Sequence, residues 1–384
     1  MHIIGKEEAE AASRVIESGH LFRYLDGVES ETGQFEKTWA ERIGVKYAIA
    51  VSSGTAALVS ALAGLGLGPG DEVIVPAYTF MATATSVLSV GAVPVPAEVD
   101  ETLTIDPADV QRKISPRTRA IIPVHMAGLP CDMDAIMPIA EAHDLLVLED
   151  VAQAAGGSYK GRALGSIGNA GAFSFNYYKL ISCGEGGAMT TNDHKTYLDA
   201  LIFHDSGTVS RGDVVDTPYF AGTNFRFNEI LSAILRVQET RLDGILSALR
   251  AEKYRLMDEL AGLSAFQLNP VHDPQGDCAS VLGLLFEEEE RAVRFAADLN
   301  QAGFRAGRPI DLDRHVYSKW TPLMIGHGAH HPGRDPLQQS DVVYSEDMCP
   351  RTLSLLSRTV HLPMRVDRSP EELTDLVSAI RRIA

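Results

Sequence analysis

The chain has 384 residues, 45% of them hydrophobic and 22% charged, a composition that suits a large globular domain joined to a smaller one. Its formal net charge of −17 opposes a general affinity for nucleic acid or anionic membrane, because both require a basic surface. An anionic ligand must therefore be held by a specific pocket.

The opening Met1-His2-Ile3-Ile4-Gly5-Lys6-Glu7-Glu8 lacks the basic stretch and apolar run of a secretory signal, and no apolar stretch elsewhere reaches spanning length without charge. Cys131, Cys183, Cys278 and Cys349 are scattered with no C-x-x-C pair, so neither a metal site nor a disulfide framework is expected. The expectation is a cytoplasmic protein with reduced thiols.

In chain order, the apolar runs Tyr47 to Val51, Glu72 to Pro76, Val93 to Val99, Arg119 to Val124, Leu145 to Asp150, Ala172 to Phe175 and Gly187 to Thr191 read as strands. Helical patterns at Thr55 to Leu65, Met81 to Leu88 and Met133 to His143 alternate with them. This alternation predicts an α/β fold with a mostly parallel sheet. From Asn228 to Leu260 a proline-free helical stretch forms a bridge, and the domain division is expected to be 1–245 for the large domain and 246–384 for a smaller C-terminal α+β domain. The remainder shows a strand at Ser280 to Phe286, a charged helix from Glu288 to Gln301 and an irregular segment from Arg308 to Arg351. A last helix opens at Ser369-Pro370-Glu371-Glu372, where serine N-cap, proline at the first position and glutamate at the third agree.

Three segments carry chemistry when taken together. Ser52-Ser53-Gly54-Thr55 follows a strand and opens a helix, which offers backbone N–H groups and a helix dipole to a phosphate, or simply a capped turn. Asp150 ends an apolar strand, at the edge where open α/β sheets bind ligands. A carboxylate there can keep a pyridine nitrogen protonated, or serve only as an N-cap. Lys179 follows Phe173-Ser174-Phe175-Asn176-Tyr177-Tyr178 and precedes the glycine-rich Gly184-Glu185-Gly186-Gly187. Desolvation in that setting would lower the amine's pKa and suit it to bonding a carbonyl. Lys160 and Lys195 lack such a context and read as surface charges.

This order of phosphate turn, strand-end Asp and lysine resembles fold-type I pyridoxal-phosphate enzymes, and the chain is similar to the DegT/StrS aminotransferases of keto-sugars and cyclitols. The resemblance runs from Gly33-Gln34-Phe35-Glu36 to Val360-His361-Leu362-Pro363-Met364, through Gly70 to Pro76, Thr79 to Thr83, Pro123-Val124-His125 and Gly222 to Arg226. It implies pyridoxal 5′-phosphate as cofactor and Lys179 as the residue bonded to it. By the same resemblance Gly54, Thr55 and Ser174 hold the phosphate, Phe80 stacks on the ring, Asp150 meets the pyridine nitrogen and Gln153 lies near the ring oxygen. Asn224 matches an asparagine that reaches the phosphate of the partner subunit's cofactor, which implies a homodimer with composite sites.

His125, Arg226, His315, Tyr317 and Trp320 are candidate substrate residues. His125 could equally be a satisfied buried histidine, and Phe80 a core aromatic. The surroundings of His315 depart from the commonest family pattern. The expected reaction moves an amino group from glutamate or glutamine to a keto-sugar or keto-cyclitol. An acceptor without a nucleotide diphosphate is favoured by the net charge, although Arg226, Arg305, Arg308 and Arg314 could serve an anionic one. Two alternatives are a 3-amino-5-hydroxybenzoate-synthase-like enzyme, suggested by Pro123 to Leu129, and a cofactor-binding regulator without turnover. Lys179 argues against the family's dehydratase branch, which replaces that lysine by histidine.

Overall fold

The computed structural model describes residues 3–25, 27–210 and 217–384. Strands form where small and β-branched apolar residues run together. They are β1 (Tyr47–Val51), β2 (Glu72–Pro76), β3 (Val93–Ala97), β4 (Thr118–Ile121), β5 (Leu146–Asp150), a hairpin of β6 (Ser158–Tyr159) and β7 (Arg162–Ala163), β8 (Ala170–Ser174) and β9 (Gly187–Thr191). One seven-stranded sheet takes the order β1-β9-β8-β5-β4-β2-β3, in which β9 alone runs antiparallel to its neighbours. Every residue of β2, β3, β8 and β9 is buried, as expected where both faces are covered by helices and loops.

Each face has its own core. On one, Phe35, Trp39, Phe173 and Phe175 pack together, with the Trp39 ring 5.2 Å and edge-on from both Phe173 and Phe175. The same apolar cluster continues into the C-terminal residues Leu282, Leu284, Leu376 and Ile380. On the other face lie Leu58, Leu62, Val75 and Leu148. Strand periodicity thus sends Ser174 and Asp150 to the side opposite Phe173, Phe175 and Val147.

The helix Glu229–Leu260 is unbroken over 32 residues and passes through the expected boundary between 245 and 246. Asn228 caps its start, accepting from the N–H of Ile230 and Leu231. Beyond it, β10 (Gln267–Leu268), β11 (Val281–Leu285) and β12 (Thr359–Pro363) form a separate antiparallel sheet. The last helix, Pro370–Ile383, begins with a complete capping box between Ser369 and Glu372.

The irregular stretch before β12 returns to the large sheet. Its residues 314 to 317 lie along residues 77 to 81: the N–H of Thr79 donates to His315 O at 3.0 Å, that of Met81 to Arg314 O at 2.7 Å, and that of Tyr317 to Ala77 O at 2.9 Å. Val316, Tyr317 and Trp320 are fully buried in the apolar cluster of the large sheet's second face. This pairing brings a residue of the C-terminal third, His315, to the strand ends.

Candidate active site

The carboxyl ends of the central strands open into a cavity of about 440 Å³. Gly54, Thr55, Thr83, Asp150, Ser174 and Lys179 are among the residues that line it.

At one end, the helix Gly54–Gly64 points its first turn at the cavity. Ser53 Oγ accepts from Ala56 N–H and Ser53 O from Ala57 N–H, so the amides of Gly54 and Thr55 are the first-turn donors left for an anion. Ser174 stands directly against this turn. A Cβ on Gly54 would come within 2.6 Å of Ser174 Cβ, which is why this position requires glycine.

Across the cavity, Asp150 is 3% exposed. Its Oδ1 accepts from Ala152 N–H at 3.0 Å and its Oδ2 from Thr83 Oγ at 2.8 Å, and Thr83 is in turn bonded to Thr79 Oγ. Burial pushes the Asp150 carboxyl up, while Ala152, Thr83 and the nearby Lys179 pull it down. Such a carboxylate is fixed in direction by neutral donors, with the Lys179 charge nearby. Burial also lowers the Lys179 ammonium below its ordinary value, with Asp150 opposing the shift. Gln153 Oε1 accepts from Ala127 N–H at 3.1 Å, which turns the side-chain NH₂ toward the cavity it lines. The Phe80 ring, 38% exposed, faces the same space 5.3 Å from the His315 ring.

The cavity therefore brings together Gly54, Thr55, Phe80, Asp150, Gln153, Ser174, Lys179 and His315. It does not include five others. His125 is fully buried and donates or accepts through both ring nitrogens: Nδ1 takes Cys131 N–H at 3.1 Å, and Nε2 meets Glu149 Oε2 at 3.2 Å. Glu149 faces away from Asp150 by strand alternation and also accepts from Gly165, Ile167 and Gly168 N–H. As a substrate residue His125 is thus corrected to a structural pin. Tyr317 and Trp320 are corrected likewise, since both are fully buried; the Tyr317 hydroxyl donates to Glu346 O and accepts from Cys349 N–H, and Trp320 Nε1 donates to Arg314 O. Arg226 pairs with Asp205 at 2.5 Å and does not line the cavity within its own chain. Asn224 is exposed on the surface, its Oδ1 accepting from Arg226 N–H.

Some cavity residues had no assigned role beforehand. Thr83 orients Asp150, and Asn176, Tyr178 and Glu185 also line the cavity, as does Arg314, one of the arginines named for an anionic acceptor. The Thr79-x-x-x-Thr83 spacing, one helical turn, was the available signal for the first of these.

A helix start with free first-turn amides, a buried strand-end aspartate and a desolvated lysine in one cavity form the donor set of a pyridoxal-phosphate-dependent enzyme. The comparisons identify its kind: the DegT/DnrJ/EryC1/StrS aminotransferase family matches residues 2–381, and the chain belongs to that family. It is 36% identical to dTDP-3-amino-3,4,6-trideoxy-alpha-D-glucose transaminase of Streptomyces venezuelae, over 99% of this chain and 93% of that one. It is 35% identical to spore coat polysaccharide biosynthesis protein SpsC of Bacillus subtilis (strain 168), over 99% and 95%. Among solved structures it is similar to 3-amino-5-hydroxybenzoic acid (AHBA) synthase, with a TM-score of 0.83, 30% identity and coverage of 99% and 97%. The cofactor is pyridoxal phosphate. The donor set fits it, with free amides for a phosphate, an aromatic face for a ring and an oriented carboxylate for a ring nitrogen. No helix among the described residues is long and apolar enough to cross a membrane.

Proposed function

We propose that this enzyme moves an amino group from glutamate or glutamine to the ketone of a sugar or cyclitol ring, with Lys179 as the residue bonded to the cofactor. The supporting observation is the convergence of Lys179, Asp150 and Gln153 on one cavity, with burial holding the amine below its ordinary pKa. The cofactor supplies an electron sink when bound. Gly54, Thr55 and Ser174 would hold its phosphate, Phe80 would lie against its ring, and Asp150, aligned by Thr83, would keep the ring nitrogen protonated. Gln153 would offer its side-chain NH₂ to the ring oxygen. Lys179 would supply the amine that holds or moves the proton at the substrate Cα.

The acting unit in this reading is a cytoplasmic homodimer. Asn224 and Arg226 lie outside their own cavity, and Tyr177, Tyr178, Tyr219 and Phe220 are exposed aromatics on the site's lysine segment and on the Asn224 segment, a pattern that suits a face covered by a second copy. Sedimentation of the active enzyme at assay concentration should give a dimer, and an active monomer would contradict it.

Mixing the yellow holoenzyme with glutamate or glutamine should bleach it, and a keto-sugar or keto-cyclitol should restore the colour. No bleaching with either donor would overturn the reading. The likeness to AHBA synthase keeps one second reading, an enzyme whose product is an aromatic amine, and ultraviolet absorbance of the product separates the two.

A further inference from the structure

The small antiparallel sheet turns only one face to its own core. Val360 and Leu362 of β12 are buried in that core, so the period of two sends His361 to the opposite face, toward the large domain. Its register partner on β11 is Gly283, which has no side chain to cover the imidazole. His361 there lines a chamber of about 250 Å³ adjoining the cofactor cavity, and Gln153, Tyr178, Lys179 and His315 line both spaces.

Lys179 is the one charged side chain on the chamber wall among the described residues. Ser280 Oγ donates to Ala127 O at 2.6 Å, so its lone pairs face inward while its proton is committed. The remaining wall is mainly apolar. The His315 and His361 rings make no hydrogen bond among the described residues, although each contributes to the wall. Burial, with Lys179 beside His315 and Lys253 beside His361, pushes both imidazoles down to about 4. At neutral pH each therefore presents one N–H and one lone pair, without charge.

Polar groups left without a protein partner in a mainly apolar recess beside the cofactor cavity are free to take their partners from a ligand. A phosphate or carboxylate would meet no guanidinium here, since Arg314 lines the cofactor cavity and not this chamber. A six-membered ring bearing hydroxyls supplies what both imidazoles lack, an O–H for the lone pair and an oxygen for the N–H. The chamber lies below the roughly 300 Å³ at which pockets for drug-sized ligands begin, which suits one ring rather than a nucleotide.

We infer that the chamber beyond Lys179 is the acceptor subsite and that His361, acting with His315, selects an uncharged polyhydroxylated ketone ring by bonding its hydroxyls. This rests on the aminotransferase reading above. Any charged part of the acceptor stays outside the chamber.

The test follows the two half-reactions by cofactor absorbance. Holoenzyme is first bleached with glutamate or glutamine, and colour return is then measured with scyllo-inosose and with 3-keto-glucose as neutral ring probes, and with the donor's own keto acid as control. Wild type should saturate with at least one ring. His361→Ala should raise that ring's half-saturating concentration at least about tenfold while the limiting rate stays within about threefold. Colour return with the keto acid should be unchanged, and His361→Asn, which keeps a donor and an acceptor, should recover most of the loss. A wild type that responds to neither ring, or His361→Ala that leaves ring saturation unaltered, overturns the inference. So does a variant that slows the keto acid equally. Failure to bleach at the first step instead overturns the aminotransferase reading, before any ring is added.

Discussion

The two ends of the catalytic space are built on different terms. At the cofactor end, helix start and strand ends lie within residues 53 to 187, and polar groups are largely committed: Asp150 is held by Ala152 and Thr83, Gln153 by Ala127, and Ser174 packs on Gly54. At the chamber end, His315 and His361 come from distant segments of the C-terminal third and leave their rings uncommitted. Chemistry common to a family needs fixed donors and acceptors. Choice of acceptor needs groups that are satisfied only when the right molecule arrives.

That contrast can be broken by substitution. Asp150→Asn keeps the shape but cannot hold the ring nitrogen protonated, so turnover should fall by about a hundred- to a thousandfold with cofactor still bound. Stopped-flow bleaching with the amino donor reads this, and a near-normal rate would move the electron-sink role to another group. Thr83→Val removes one of two hydrogen bonds that aim the carboxylate, and a loss of about tenfold in the same assay is expected. Equal losses for Thr83→Val and Asp150→Asn would mean that Thr83 does more than orient its neighbour.

The smallest effect is on stability and sharpens the chamber end. His361 holds its proton less well folded, at about 4, than at its ordinary value of 6.5. Between those values the unfolded chain binds more protons, so stability falls as pH drops through the window, by up to about 1.4 kcal/mol per pH unit. Thermal unfolding of wild type and His361→Asn from pH 7 to 4.5 should show the shallower decline in the variant. Parallel curves would place His361 in an ordinary solvated setting.

Legibility in the sequence follows the same divide. The strand ends and the lysine segment were readable because each functional group sits beside its own structural signal: a strand run before Asp150, a small-residue turn after Val51, glycines after Lys179. Ser369 and Glu372 marked the last helix for the same local reason, and the capping box is present. The helix Glu31–Ile43 was passed over although Phe35, Trp39 and Ile43 recur at its spacing between Ser30 and Gly44. Long-range pairing was not readable. Tyr317 and Trp320 look like binding groups in an irregular stretch, yet the pairing of residues 314 to 317 with 77 to 81 turns them inward and leaves Arg314 and His315 toward the cavity. His125 stood equally between a substrate role and a buried histidine, and its bond to Glu149, which strand alternation turns away from Asp150, decides for the second. The orientation of His361 depends on β12 pairing with β11, which no local pattern announces.

The central claim is that Lys179 is the cofactor-bonded residue. It is tested most directly by reducing the holoenzyme with borohydride, digesting it and locating the cofactor-labelled peptide by mass spectrometry. The label should fall on Lys179 alone and be absent from Lys179→Ala. Label on Lys160, Lys195 or any other lysine of the wild type would contradict the account.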